Sequence, residues 1–266
     1  MKVLPVDFLF HITMFSSAYD YQWDSTFTFA GETHPAWEIV CVLSGKVEIA
    51  EDESVFALQA GNVICHAPME FHSIRSAGGS LPHVLVMSFY AEGVLPSHLT
   101  EGVFYLEPME LEAYQKLFFR IFRAYHAQNS KPYETAELAS SLIAFLIHLS
   151  ARSPQGVQSK TTGAEEYRHL VESMQRYVCQ NLTLSQLAAK NAMSIGTVKN
   201  LFRTYAGVSP MTYYAHLRGR ESIRLLQTGM EIRQIAEVMH FSSPNYFSCF
   251  FKRLYGVPPG KYRGAL

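Results

Sequence analysis

The chain has 266 residues, with 22 Lys and Arg against 23 Asp and Glu for a formal net charge of −1, and 48% of it is hydrophobic. That length carries two ordinary domain cores, and its longest apolar runs fall far short of the ~20 residues that a membrane span needs. The four cysteines, Cys41, Cys65, Cys179 and Cys249, form no C-x-x-C pair and no zinc spacing, which excludes a disulfide scaffold and suits reduced thiols. Asp7 and His11 interrupt the apolar stretch around Phe8 to Phe15 and no cleavage-like segment follows, so a soluble cytoplasmic protein without membrane contact is expected.

Residues 1 to about 107 alternate with a period of two. The runs are Thr26 to Ala30, Glu38 to Leu43, Lys46 to Ala50, Val55 to Leu58, Val63 to His66 and Val84 to Phe89, split by Ser44-Gly45, Ala60-Gly61, Gly78-Gly79 and Pro82. This predicts an antiparallel β barrel or jelly roll with tight turns. Tyr21, Trp23 and Phe27 fall on early strands, where they either stack on a ligand ring or simply pack. The punctuation His34-x-x-x-Glu38-x6-Gly45, then Gly61-x6-Pro68-x3-His72, resembles the small barrel called a cupin. Cupin enzymes hold a metal with H-x-H, a glutamate and a later histidine. Here His34, Glu38 and His72 remain, while Ala36 and Trp37 stand where a further imidazole is needed. Three ligands would leave a catalytic metal with open positions, so a metal-dependent isomerase or oxygenase stays open as the alternative for this half of the chain.

Two amphipathic patterns follow, from about Glu110 to Gln128 and Tyr133 to Ala151. Leu111, Tyr114, Leu117, Phe118, Ile121, Phe122 and Tyr125 form one apolar stripe; Leu138, Leu142, Phe145, Leu146 and Leu149 form the other. Both are broader than a small barrel needs as cover. Residues 152–163 hold Ser, Pro, Gln, Thr and Gly with no large apolar residue beyond Val157 and read as a flexible linker.

The remaining residues write one pattern twice. The first copy runs Leu184, Leu187, Ala188, Ser194, Val198, Leu201, Phe202, Arg203, Gly207, Val208, Pro210; the second runs Ile232, Ile235, Ala236, Ser243, Phe247, Phe250, Phe251, Lys252, Gly256, Val257, Pro259. Equivalents lie 48 positions apart before the turn and 49 after it, so the second copy carries one extra residue, at Ser242 or Ser243. Thr183 and Ser194 suit N-caps, Ser243-Pro244 is a stronger start, and Gly207 and Gly256 suit left-handed stops. Each copy is therefore expected to be a helix-turn-helix unit, built to place a helix in a DNA groove. Between them, Ser209-Pro210 through Gly229 predicts a helix of roughly 18 residues rising about 27 Å. A rod of that length suits two helices in successive major grooves, which repeat every ~34 Å. Residues 164–266 carry 13 Lys and Arg against 6 Asp and Glu, a net of +7, while residues 1–163 carry a net of −8. A basic tail is what phosphate contacts require.

Residues 167 to 263 resemble the DNA-binding domain of the AraC/XylS transcriptional regulators, whose second-unit signature is matched by Ile232, Ile235, Ala236, Phe241, Tyr246, Phe247, Phe251, Lys252, Gly256, Pro259, Tyr262 and Arg263. His240 departs from it, standing where the family usually has glycine. Histidine tolerates positive φ better than a β-branched residue, so strain rather than loss of fold is expected. The resemblance places base-reading positions at Gly196, Thr197, Lys199 and Asn200 in the first unit and at Asn245, Tyr246, Ser248 and Cys249 in the second. Lys199 suits guanine edges, and Asn200 or Asn245 suits adenine. Arg203, Lys252 and Arg253 complete the DNA-binding set, the last two as phosphate contacts. Family members often carry arginine at the Cys249 position, so the first unit is expected to read sequence more firmly.

The chain is thus expected to be α+β with two domains: a cupin-like barrel with dimerisation helices (residues 1–151, helices from about 108), a linker (152–163) and an all-α double helix-turn-helix domain (164–266). The resemblance further implies that the barrel mouth binds a small effector, a sugar or related metabolite, with His34, Trp37, Glu38 and His72 at or near it and no metal or cofactor. It implies a homodimer on promoter DNA, usually activating through RNA polymerase. A regulator controlled by a protein partner through Leu117, Phe118 or Phe145 is a further alternative.

Overall fold

The computed structural model describes residues 10–127, 131–155, 159 and 161–263. The start of the N-terminal apolar stretch, Gln128 at the end of the first amphipathic pattern, and residues 156–158 and 160 of the expected linker lie outside the described residues. The chain divides into two compact units, residues 1–51 with 55–159 and residues 160–266 with 52–54. No described helix is long and apolar enough to cross a membrane.

Among the described residues the first unit has nine strands: β1 (Phe10–Gln22), β2 (Thr28–Glu32), β3 (Trp37–Ser44), β4 (Lys46–Glu51), β5 (Ser54–Gln59), β6 (Asn62–His66), β7 (His72–Ser76), β8 (His83–Gly93) and β9 (Val103–Tyr105). They form a five-stranded sheet in the order β1-β8-β3-β6-β9 and a four-stranded sheet in the order β2-β7-β4-β5. Alternation along β3 explains the layering. Ile39 and Cys41 join Cys65, Leu85, Met87 and Phe89 in one core, while Val40 and Val42 join Val47, Ile49, Ile64 and Val84 in the other. A sheet buried on both faces needs cover on its outer one. Helices α1 (Pro108–His126) and α2 (Pro132–Ser150) supply it. Their stripe residues Tyr114, Phe118, Ile121, Leu138, Leu142, Leu146 and Leu149 are buried in the same core as Ile39 and Met87. Phe118 is fully buried, whereas Leu117 and Phe145 pack against that core only in part.

The second unit is helical: α3 (Thr162–Arg176), α4 (Leu184–Lys190), α5 (Ile195–Tyr205), α6 (Pro210–Gln227), α7 (Ile232–Val238), α8 (Pro244–Tyr255) and α9 (Pro259–Arg263). Thr183, Ser194, Ser209 and Ser243 each cap a helix by accepting a backbone N–H. Helices α4 and α7 end alike. Met193 N–H reaches Ala188 O at 3.0 Å and Phe241 N–H reaches Ala236 O at 2.8 Å, the six-to-one bond of a Schellman stop. The residue inside each loop is left-handed, Ala192 with φ 52° and His240 with φ 52°. The extra residue of the second copy therefore follows this shared stop.

Candidate functional site

Register assembles a polar floor inside the barrel. On the five-stranded sheet Glu38 of β3 lies opposite His66 of β6 and Ser88 of β8; on the other sheet His72 of β7 lies opposite Glu32 of β2 and Glu51 of β4. Where the sheets face each other, His72 Nε2 stands 3.3 Å from Glu38 Oε1 and His34 Nε2 stands 3.4 Å from Glu38 Oε2. Ser88 Oγ donates to Glu38 Oε2 at 2.9 Å, and Ser17 Oγ donates to Ser88 at 2.8 Å. Burial alone would raise the Glu38 carboxyl, but the bonds from His34 and His72 outweigh it and hold the group well below the usual carboxylate range. Glu38 itself raises His34, and at His72 it outweighs the lowering effect of burial, so both imidazoles take protons more readily than free histidine.

Both imidazoles are also oriented. His34 Nδ1 lies 3.1 Å from Ala36 O and His72 Nδ1 lies 3.1 Å from Glu70 O, so each Nδ1 carries the hydrogen and each Nε2 points at Glu38. Glu32, which the sequence reading missed, brings its carboxylate together with His34 and His72, with ligand atoms within 4.8 Å of one another. Carboxylate and imidazole donors of this kind fit a divalent cation as well as a polar ligand. Only the register of β2 against β7 reveals Glu32.

Above this floor is a cavity of about 560 Å³, lined by His34, Glu38, His72 and Ser88 and by a row of aromatic rings. Tyr19 and Tyr21 stack with centroids 5.3 Å apart, Tyr21 and Trp23 at 5.2 Å, and Trp23 and Phe27 at 4.0 Å. Tyr19 and Tyr21 share one face of β1 by period two, whereas Trp23 and Phe27 lie in the connection to β2 rather than on strands. Trp37 is a correction. It neighbours Glu38 on β3, points to the opposite face and packs against the core shared with the helices, so it does not line the cavity. A mostly apolar pocket with a few convergent polar groups is the usual form of a small-molecule site.

In the second unit, α5 buries Val198, Leu201, Phe202 and Tyr205 and exposes Gly196, Thr197, Lys199, Asn200 and Arg203. Asn200 Oδ1 accepts from Arg203 Nη2 at 2.5 Å, which engages one lone pair of its carbonyl and orients the amide while the other lone pair remains for adenine. Helix α8 buries Phe247 and Phe251 and exposes Asn245, Tyr246, Cys249, Lys252 and Arg253. Ser248 is half-buried and donates to Pro244 O at 2.9 Å. Its hydroxyl is spent on its own helix, and of the second set it is the residue least available to a base. Ile195, 43% exposed at the start of α5, was missed; an apolar side chain there suits a thymine methyl.

Residues 17–146 match the family described as an AraC-like ligand binding domain, and residues 187–265 match a helix-turn-helix domain family. Over 130 residues the chain is 28% identical to the HTH-type transcriptional regulator GbdR of Pseudomonas aeruginosa, covering 46% of this chain and 35% of that protein. Over 217 residues it is 25% identical to the HTH-type transcriptional activator RhaS of Yersinia pestis, covering 80% of this chain and 73% of RhaS. The chain thus spans about a third of GbdR and nearly three quarters of RhaS. The crystal structure of ToxT from Vibrio cholerae is similar at 15% identity and a TM-score of 0.38, covering 97% of this chain and 98% of that one.

Proposed function

This chain belongs to the AraC family of transcription regulators, carrying an AraC-like ligand-binding domain and a DNA-binding helix-turn-helix domain, and from that premise we propose that it binds promoter DNA through α5 and α8 and answers to a small metabolite held in the barrel cavity. The observation that carries this reading is the pairing of two capped helix-turn-helix units, each with an exposed polar or basic outer face, with a cavity whose polar floor is already assembled. Lys199, Asn200, Thr197 and Gly196 face bases in the first unit. Asn245, Tyr246 and Cys249 do so more weakly in the second, where Lys252 and Arg253 hold phosphates, as Arg203 does in the first. The effector is a sugar or related metabolite whose polar groups meet His34, His72 and Ser88 while its body lies along Tyr19, Tyr21 and Trp23. The regulator works in the cytoplasm as a homodimer and activates through RNA polymerase.

Footprinting on the region upstream of the protein's own gene tests the DNA reading. A thermal-shift panel of sugars and small metabolites tests the cavity, because a ligand at 100 times its Kd adds about 2.7 kcal/mol to stability. No protected region, or no stabilising compound in a wide panel, overturns the corresponding half. The grouping of Glu32, His34 and His72 supports a second reading, a metal-assisted enzyme on a DNA-binding tail. Stoichiometric metal in the purified protein that is lost in His72→Ala favours it.

A further inference from the structure

Helix α6 carries a buried cation whose hydrogen bonds go to neutral oxygens. Arg218 is 4% exposed. Its Nη1 donates to Gln180 O at 2.6 Å and to Asn181 Oδ1 at 3.3 Å, and its Nη2 donates to Met239 O at 2.6 Å. The guanidinium lies over the Phe241 ring, 4.5 Å from its centroid. One turn earlier on α6, Tyr214 Oη lies 2.6 Å from Tyr177 O and 2.9 Å from Gln180 O, so its single hydrogen is shared between the two carbonyls.

These partners belong to both DNA-reading units. Gln180 and Asn181 lead into α4, the first helix of the first unit. Met239 is the C-cap of α7, and Phe241 sits in the turn before α8. The negative end of a helix is a favourable place for a cation, and the ring face adds to it. A planar fork with several fixed donors can hold two backbone segments at once, which a lysine ammonium on a flexible stem cannot. Each unit already has an apolar core of its own, with Leu187, Val198 and Phe202 buried in the first and Ile235, Phe247 and Phe251 in the second. A buried charge adds little net stability that a well-packed apolar side chain of the same size would not supply. What it adds is direction.

We propose that Arg218 is a positioning residue that locks the first unit's lead-in segment to the second unit's turn, and so sets the distance between the two base-contacted segments that the protein accepts within one operator. This rests on the reading of α5 and α8 as the DNA-contacting helices.

The test uses the full chain and a random-sequence duplex library, selected in parallel with the wild type and with Arg218→Met, which keeps the packing on Phe241 and removes the donors. The wild type is expected to recover, within each half-site, two motifs at one spacing. The variant is expected to recover the same two motifs at several spacings, and to lose about tenfold, equivalent to about 1.4 kcal/mol, on the wild-type duplex while binding a single-motif duplex as the wild type does. A merely structural role would weaken both duplexes alike. That result, or an unchanged single spacing in a folded variant, overturns the proposal. If Arg218→Met does not fold, Arg218→Lys and Arg218→Gln are selected in its place and judged by the same two readouts. A wild-type selection that yields no second motif at a fixed distance overturns the two-unit reading itself, and the proposal with it; a fixed wild-type spacing that the variants retain overturns the proposal alone.

Discussion

Ala192 and His240 occupy the left-handed position that ends the first helix of each unit, a conformation that costs an ordinary L-residue roughly 1–2 kcal/mol. Ala192→Gly and His240→Gly are each expected to stabilise the helical unit by about 1 kcal/mol, seen as a higher urea midpoint with an unchanged slope. His240 was legible as a departure from a motif; Ala192 was not, because alanine carries no turn signal. In the barrel, burial first and then the Glu51 carboxylate push Glu70 up from 4.5 to about 8. The folded chain therefore keeps a proton that the unfolded chain releases, so this contribution is complete below about pH 4.5 and is lost as pH rises through about 8. His66 acts oppositely, its imidazole lowered by burial and then by His72 to about 3, so its contribution grows between about pH 3 and 6.5. Comparing Glu70→Gln with the wild type above about pH 6.5 isolates the first effect. The melting temperature of the variant should fall less than that of the wild type, and parallel curves would refute it.

At the scale of elements, helices were easier to read than strands. The span of α6, Pro210–Gln227, follows from a Ser-Pro start and a glycine stop, which are local signals. Strand β1 was legible only at its end, through Tyr21, because its register shifts between Ile12 and Met14 and again between Phe15 and Ser17, and each bulge breaks the period of two on which strand recognition depends. Strand β9 has three residues, too few to show any period. Gly219 was also silent in the sequence. A Cβ there would stand 2.5 Å from Tyr255 Oη and 2.7 Å from Leu254 Cδ1, so its absence lets the end of α8 approach α6. Gly219→Ala sets an overpacking cost of about 1–3 kcal/mol against a helix-propensity gain of about 1 kcal/mol, so a net loss of at most about 2 kcal/mol is expected, read from urea denaturation. The two reading helices should differ in kind: Lys199→Ala is expected to relax preference at one base pair by about 1–3 kcal/mol, whereas Lys252→Ala should weaken all sequences alike and lower the salt slope by about one. Gel-shift titrations across salt concentrations separate these outcomes.

For the molecule as a whole, a net charge of −1 conceals an acidic part of net −8 up to residue 163 and a basic part of net +7 from residue 164. Binding to any duplex should therefore fall steeply with salt, by roughly 10³–10⁵ between 50 and 200 mM if 6–10 phosphates are neutralised; a flat dependence would count against phosphate contacts by Arg203, Lys252 and Arg253. The duplicated reader was determined by the sequence alone, since caps, stops and apolar stripes act between residues three or four apart and repeat after 48 or 49 positions. Beyond His34, Glu38 and His72, the lining of the cavity was decided by tertiary structure. Glu32, Glu38, His66, His72 and Ser88 come from five strands on two sheets, and strand register, a long-range property, brings Glu32 to the floor and turns Trp37 away from it.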